Sequence, residues 1–214
     1  AVYPVSADVV AAQARAVLDD IGADVIKLGM LGSDATVEAL VELLAGTEAP
    51  LVVDPVLAST SGAALLEPAA LARFKSELMP LSALLTPNAA EAERLTGLAI
   101  ATTDDLRRAG EALLTAGVRA VLLKGGHITG ESVTDVLMTR DGEHRFTGLR
   151  IATRHDHGTG CTLASACATG LAQGLSLADA VRRAHAYVSE ALRRAPGFGA
   201  GRGPLDHAWP LRDR

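Results

Sequence analysis

Gly158 and Gly160, with Thr159 between them and Cys161 next in line, open an apolar run in which chemistry and backbone freedom coincide. The two glycines permit backbone angles that Cβ-bearing residues resist, and they leave room above the turn. The run that follows, Leu163-Ala-Ser-Ala-Cys-Ala-Thr-Gly170, has no charge and no proline, so a buried helix is predicted to begin near Thr159. First-turn amides of such a helix lack intrahelical partners. Together with the positive end of the helix dipole they suit a phosphate. Cys161 stands at the lip of this cradle, where a helix N-terminus favours the thiolate. Cys167 falls inside the apolar run and reads as a small buried hydrophobe. A glycine turn before a helix is also a common tight connection, so the reading depends on what stands beside it.

Further polar and glycine-marked residues fall at the ends of apolar stretches: Lys27 with Gly29 and Met30, Asp54, Thr86 with Asn88, and Lys124 with Gly125 and Gly126. These are parts for phosphoryl transfer. An anion cradle holds the moving oxygens, carboxylates hold Mg²⁺ directly or through water, and a lysine neutralises the polyphosphate. Each has a plainer reading too. Asp54 can cap a turn, Asn88 can be an N-cap with Glu91 completing a capping box, and Lys27 and Lys124 can be solvated lysines. No Gly-x-x-x-x-Gly-Lys-Ser/Thr occurs, which excludes a P-loop enzyme, and no dinucleotide fingerprint follows a first strand.

The elements that must position these residues alternate. Helices are predicted from Ser6 (apolar at Val10, Val17 and Ile21, with Ala14 between), from Ser33 or Asp34 to Leu44, from Glu67 to Leu78, from Asn88 to Leu95, and from Asp104 to Ala116 after Thr103. Strands are predicted at Asp24 to Gly29, Pro50 to Asp54, Leu81 to Leu85 and Ala120 to Lys124, with a polar loop at Ser59 to Gly62. Uninterrupted apolar strands alternating with helices predict an α/β fold, a mainly parallel sheet covered on both faces. Its ligand crevice lies beyond the carboxyl ends of the strands. The rhythm then breaks into a hairpin, Val133 to Thr139 and His144 to Phe146 around Asp141-Gly142. An edge strand at Leu149 to Thr153 and a long helix bearing Leu177, Val181, Ala184, His185, Val188 and Leu192 complete the pattern. The chain enters on a helix where a parallel sheet usually starts with a strand, so the N-terminal part of the domain is expected to be missing. Residues 1–214 otherwise read as one domain without repeat or linker.

The 214 residues are 49% hydrophobic and only 3% aromatic, so small aliphatic side chains do the packing. A net charge of -5, with no basic block or aromatic–basic interleaving, argues against nucleic acid as a partner. No 18-residue apolar stretch predicts a membrane span, no basic leader is visible among the first residues, and the expected location is cytoplasmic. The two cysteines form no disulfide framework.

Asp54-Pro-Val56, Leu85-Thr-Pro-Asn-Ala-Ala-Glu91, Leu123-Lys-Gly-Gly-His127 and His157-Gly-Thr-Gly-Cys-Thr162 resemble the ribokinase-like vitamin kinases. The hydroxymethylpyrimidine/phosphomethylpyrimidine kinases of thiamine biosynthesis are the best match, and pyridoxal kinases are close cousins. The resemblance implies a ribokinase-like three-layer sandwich and two ATP-dependent phosphorylations, of the pyrimidine's hydroxymethyl group and then of its monophosphate. It makes Cys161 the base, with Gly158, Thr159 and Gly160 forming the anion hole. Lys124, Asn88, Glu91 and Gly126 would serve ATP, and Asp54 and Glu91 would serve Mg²⁺. Met30, Val56 and Cys161 would line the pyrimidine pocket. It also implies a homodimer. Two departures stand out: the family's opening glycine-rich segment is not present, and His155-Asp156 replaces the more usual Asn-Thr. These leave open a pyridoxal or pyridoxine kinase, or a binding module without catalysis.

Overall fold

A computed structural model describes residues 3–57 and 65–212. The predicted polar loop at Ser59 to Gly62 lies outside the described residues. Six strands form one sheet in sequential order: β1 (Ile26–Leu28), β2 (Leu51–Val53), β3 (Ser82–Leu85), β4 (Ala120–Leu123), β5 (Ser132–Thr139) and β6 (Gly142–Leu149). β1 to β4 run parallel, and β5 and β6 are antiparallel to their neighbours.

The strands carry apolar side chains on both faces because both faces are covered. Val53, Leu85, Val121 and Leu123 join one core with residues of α2 (Asp34–Leu44), α3 (Pro68–Arg73), α4 (Ala89–Thr96) and α5 (Thr103–Thr115). The alternate residues Val52, Leu84, Ala120 and Leu122 join a second core with α6 (Thr159–Ala172) and α7 (Leu177–Arg193). The result is the expected three-layer sandwich. Cys167 is fully buried in this second core, and both cysteines are free. Among the described residues no helix is long and apolar enough to cross a membrane.

Helix ends follow local chemistry. Ser33 Oγ accepts from the Thr36 amide at 3.2 Å and starts α2. Gly97 closes α4 in the left-handed region, at φ 78°. Four expectations shift. α5 is capped by Thr102, not Thr103, because Asp105 three residues on can complete a capping box. The hairpin turn is 140–141, with Gly142 already paired to Thr139. No strand continues through 150–153, since Arg150 turns away to bind a neighbouring loop. The first helix, α1 (Ala7–Asp20), does not bury the predicted stripe. Val10 and Leu18 reach the core beside α2, whereas Ile21 is 79% exposed, because α1 packs on a helix and not on the sheet.

Candidate active site

The parallel strands all end on the same side, so their last residues form a row in sheet order. Met30 follows β1, Asp54 to Val56 follow β2, Thr86 to Asn88 follow β3, and Lys124 to Gly126 follow β4. α6 packs across β1 and β2 from the opposite layer and brings its N-terminus to this row.

Lys124 is the meeting point. Its Nζ donates to Asp54 Oδ1 at 2.7 Å and lies 4.0 Å from Glu91 Oε2. Its side chain is only 12% exposed and that of Asp54 only 2%, so neither is the solvated lysine nor the simple turn cap of the plainer readings. Thr86 Oγ1 also donates to Asp54 Oδ1, at 3.1 Å. A Cβ built on Gly160 would stand 3.0 Å from Lys124 Nζ. The ammonium therefore lies against the first turn of α6, and glycine is what lets it approach. Gly158 takes φ 84° as the residue before that turn, where glycine is the residue without strain. Thr159 binds back to the Asp156 carbonyl through both its amide and its hydroxyl, and Cys161 is exposed at the rim.

Asn88 and Glu91 form the capping box of α4, so the plainer reading of the pair is realised in full. Asn88 Oδ1 accepts from the Glu91 amide at 2.9 Å, and Glu91 Oε2 accepts from the Asn88 amide at 2.8 Å. The box also aims the Glu91 carboxylate at Lys124. Burial pushes the Glu91 carboxyl up, against the pull of Lys124. Asp54, after β2, and Glu91, on the first turn of α4, both face the Lys124 ammonium, and carboxylate oxygens are donors of the kind Mg²⁺ takes.

Met30 and Val56 stand on the adjoining ends of β1 and β2. Val56 lines a small cleft with Gly29, Leu31, Pro55 and Leu57, while Met30 is 49% exposed. Lys27 is half-buried, its ammonium curled over Gly29.

Two supporting residues, Asp135 and Arg202, escaped the sequence reading. Asp135, nine-tenths buried or more on β5, accepts from the Gly125 amide at 2.8 Å and so fixes the residue after Lys124. A lone acid within Val133-Thr-Asp-Val-Leu-Met138 was its signal. Gly125 itself is irreplaceable at this contact, because a Cβ there would meet Thr134 O at 2.0 Å. Arg202, from the glycine-rich tail, pairs through Nε and Nη2 with both carboxylate oxygens of Asp156, at 2.7 and 2.5 Å. The hydrogen bonds from Arg202 hold the Asp156 carboxyl below its usual range. The same tail binds the turn through His157 N and Gly203 O, at 3.1 Å. His127 is exposed on the loop after β4, and partial desolvation, then Lys124, Arg202 and Arg150, push its imidazole down. Cationic groups thus surround the end of β4.

The profile of the family described as phosphomethylpyrimidine kinase matches residues 1–206. The chain belongs to this family. It is 48% identical over 204 residues to the hydroxymethylpyrimidine/phosphomethylpyrimidine kinase of Streptomyces coelicolor, covering 95% of this chain and 76% of that one. The Escherichia coli protein of the same name is 42% identical over 214 residues, covering 97% and 80%. Among solved structures, phosphomethylpyrimidine kinase from Clostridium difficile matches at 36% identity and TM-score 0.79, over 90% of this chain and 79% of the other. Staphylococcus aureus pyridoxal kinase in complex with ADP matches at 30% identity and TM-score 0.91, over 99% and 77%. The phosphomethylpyrimidine kinase sequence and the pyridoxal kinase share the ribokinase-like fold, but the higher sequence identity lies with the pyrimidine kinases.

Proposed function

We propose that this protein phosphorylates the hydroxymethyl group of 4-amino-5-hydroxymethyl-2-methylpyrimidine with ATP, and then the monophosphate to the diphosphate, for thiamine biosynthesis. The observation that carries the reading is the Lys124 ammonium held between Asp54 and the glycine turn of α6. The α6 amides hold the transferring phosphoryl oxygens, and Lys124 offsets charge that builds on them in the transition state. Asp54 and Glu91 would hold Mg²⁺, which would supply positive charge to offset that of the polyphosphate. Asn88 keeps Glu91 in place, and Gly126 lets the ATP phosphates approach the loop after β4. The pyrimidine lies towards β1 and β2, against Met30 and Val56, with its hydroxymethyl oxygen near Cys161. Cys161 takes the proton from that oxygen as the oxygen attacks the γ-phosphorus and the bond to the β–γ bridging oxygen breaks, releasing ADP. The hairpin β5–β6 leaves a sheet edge that needs cover, which supports a homodimer.

Pyrimidine-dependent ADP release by the full-length protein, with mono- and diphosphate products followed by ³¹P NMR, tests the reading. Pyridoxal assayed beside it should turn over at a lower kcat/KM. Turnover of pyridoxal alone would replace the pyrimidine reading, and nucleotide binding without turnover of either would make the protein a binding module. Light scattering at a monomer mass at every concentration would remove the homodimer.

A further inference from the structure

Arg150 leaves the sheet just after β6 and is bound by no carboxylate among the described residues. Its guanidinium donates instead to three backbone carbonyls of one loop. Nε reaches Gly130 O at 2.8 Å, Nη1 reaches Gly126 O at 2.8 Å, and Nη2 reaches Ile128 O. Its amide adds a bond to Glu131 O at 2.8 Å. Three carbonyls from alternate residues converge on one point only where positive charge offsets their dipoles, and the planar fork of arginine matches that spacing. The loop is otherwise held by a turn, Ile128 N to Gly125 O at 2.9 Å, and by Ile128 packing on the core. Gly130 takes φ 141°, a conformation side chains resist, which lets the third carbonyl face Arg150.

The consequence follows from peptide geometry. No peptide bond here is cis, so each carbonyl and the next residue's N–H point in opposite directions. With Gly126 O and Ile128 O turned to Arg150, the amides of His127 and Thr129 point away from it. Neither amide has a hydrogen-bond partner among the described residues. They belong to the loop that continues from Lys124, where His127 already feels Lys124, Arg202 and Arg150 together.

We propose that Arg150 is a positioning residue for nucleotide binding: by tying back the carbonyls of Gly126, Ile128 and Gly130 it presents the His127 and Thr129 amides to the ATP polyphosphate. The proposal rests on the kinase reading above. It assigns Arg150 no contact with ATP; its effect passes through the loop.

The test compares wild type, Arg150→Ala and Arg150→Lys in the full-length protein. Loss of two charge-assisted contacts should raise the KM for ATP by about tenfold, with kcat changed by less than about threefold. Arg150→Lys should resemble Arg150→Ala, since a point charge cannot fork three carbonyls. Added ethylguanidinium should restore the KM of Arg150→Ala, which repair of a merely weakened fold would not do. Hydrogen exchange should rise in residues 126–131 of the variant and stay unchanged in β2 and β3. An unchanged KM for ATP, a wild-type KM in Arg150→Lys, or loss of exchange protection throughout the sheet would each overturn the proposal. If the wild type shows no turnover at all, the kinase reading fails. An ATP analogue protecting residues 127 and 129 from exchange in wild type but not in Arg150→Ala would then still sustain the positioning role, and no difference would end it.

Discussion

Lys124 Nζ sits 2.7 Å from Asp54 Oδ1 across two strand ends, and the pair is almost out of water. Each partner therefore depends on the other for folding and, in the proposed function, for chemistry. Lys124→Met strands a carboxylate that is only 2% exposed, and removal of one partner of a buried pair costs about 3–5 kcal/mol. Pairing it with Asp54→Asn removes the orphan charge. The double variant should regain most of the melting temperature lost by Lys124→Met, while ADP release stays abolished in both. Recovery of activity along with stability would show that the pair is only structural.

The two glycines beside Lys124 predict opposite phenotypes. A Cβ on Gly160 meets the far end of the lysine side chain at 3.0 Å, which can move aside. Gly160→Ala should fold with a near-normal melting temperature, yet lose phosphoryl transfer to both the pyrimidine and its monophosphate alike. A Cβ on Gly125 meets backbone, Thr134 O at 2.0 Å. Gly125→Ala should lower the melting temperature and weaken expression before any kinetic effect can be read. Thermal denaturation beside steady-state kinetics separates the two, and a destabilised Gly160→Ala with normal kcat would count against the anion hole.

The row of strand ends was legible because the fold is built from short, wholly apolar strands whose first polar residue marks the end of the sheet. Asp54, Thr86 and Lys124 announced themselves that way, and the glycines 158 and 160 announced the helix that faces them. Asn88 and Glu91 were legible twice over, as a capping box and as polar residues at the site, and the box is what directs Glu91. What could not be read was contact between distant segments. Arg202 and Asp156 are remote in sequence and meet only because the tail returns to the turn. Asp135 lies in a strand whose pattern says only that one face is buried. α1 carries an amphipathic pattern that says nothing of whether a helix or the sheet receives it.

The Asp156–Arg202 pair answers how an acid can stand beside the proposed anion cradle. Arg202 covers it. Arg202→Ala should uncover the carboxylate and raise the KM for ATP, and adding Asp156→Asn should bring KM back towards wild type. The pair also gives a pH signature. Because Arg202 depresses the Asp156 carboxyl in the folded state, its stabilising contribution is complete above the ordinary carboxylate range. It is lost as pH falls through the depressed value. Asp156→Asn should therefore melt slightly below wild type at pH 7, by no more than about 2–4 °C for an exposed pair in a chain of this size. The gap should close in strongly acidic buffer. A gap that widens on acidification would refute the assignment.

The two phosphorylations differ in what they ask of Cys161. In the first, the nucleophile is a hydroxyl, which must lose its proton as the bond to phosphorus forms. In the second, it is a phosphate oxygen, largely ionised near neutrality because the second phosphate pKa is about 6. The base role proposed for Cys161 therefore predicts a need for it in the first step and not in the second. Cys161→Ala should lower kcat for the pyrimidine by roughly 10²–10⁴-fold, the usual scale for general-base catalysis. The kcat for the monophosphate should fall far less, and the KM for ATP should hold in both. Cys161→Ser should not restore the first step, since a serine hydroxyl ionises far less readily than a thiol. Cys167→Ala serves as the control, because burial pushes its thiol up to about 12 and removes it from acid–base work at neutral pH. Separate assays started from the pyrimidine and from its monophosphate read the split directly. Equal losses in the two steps would mean that Cys161 shapes the pocket and does not move the proton.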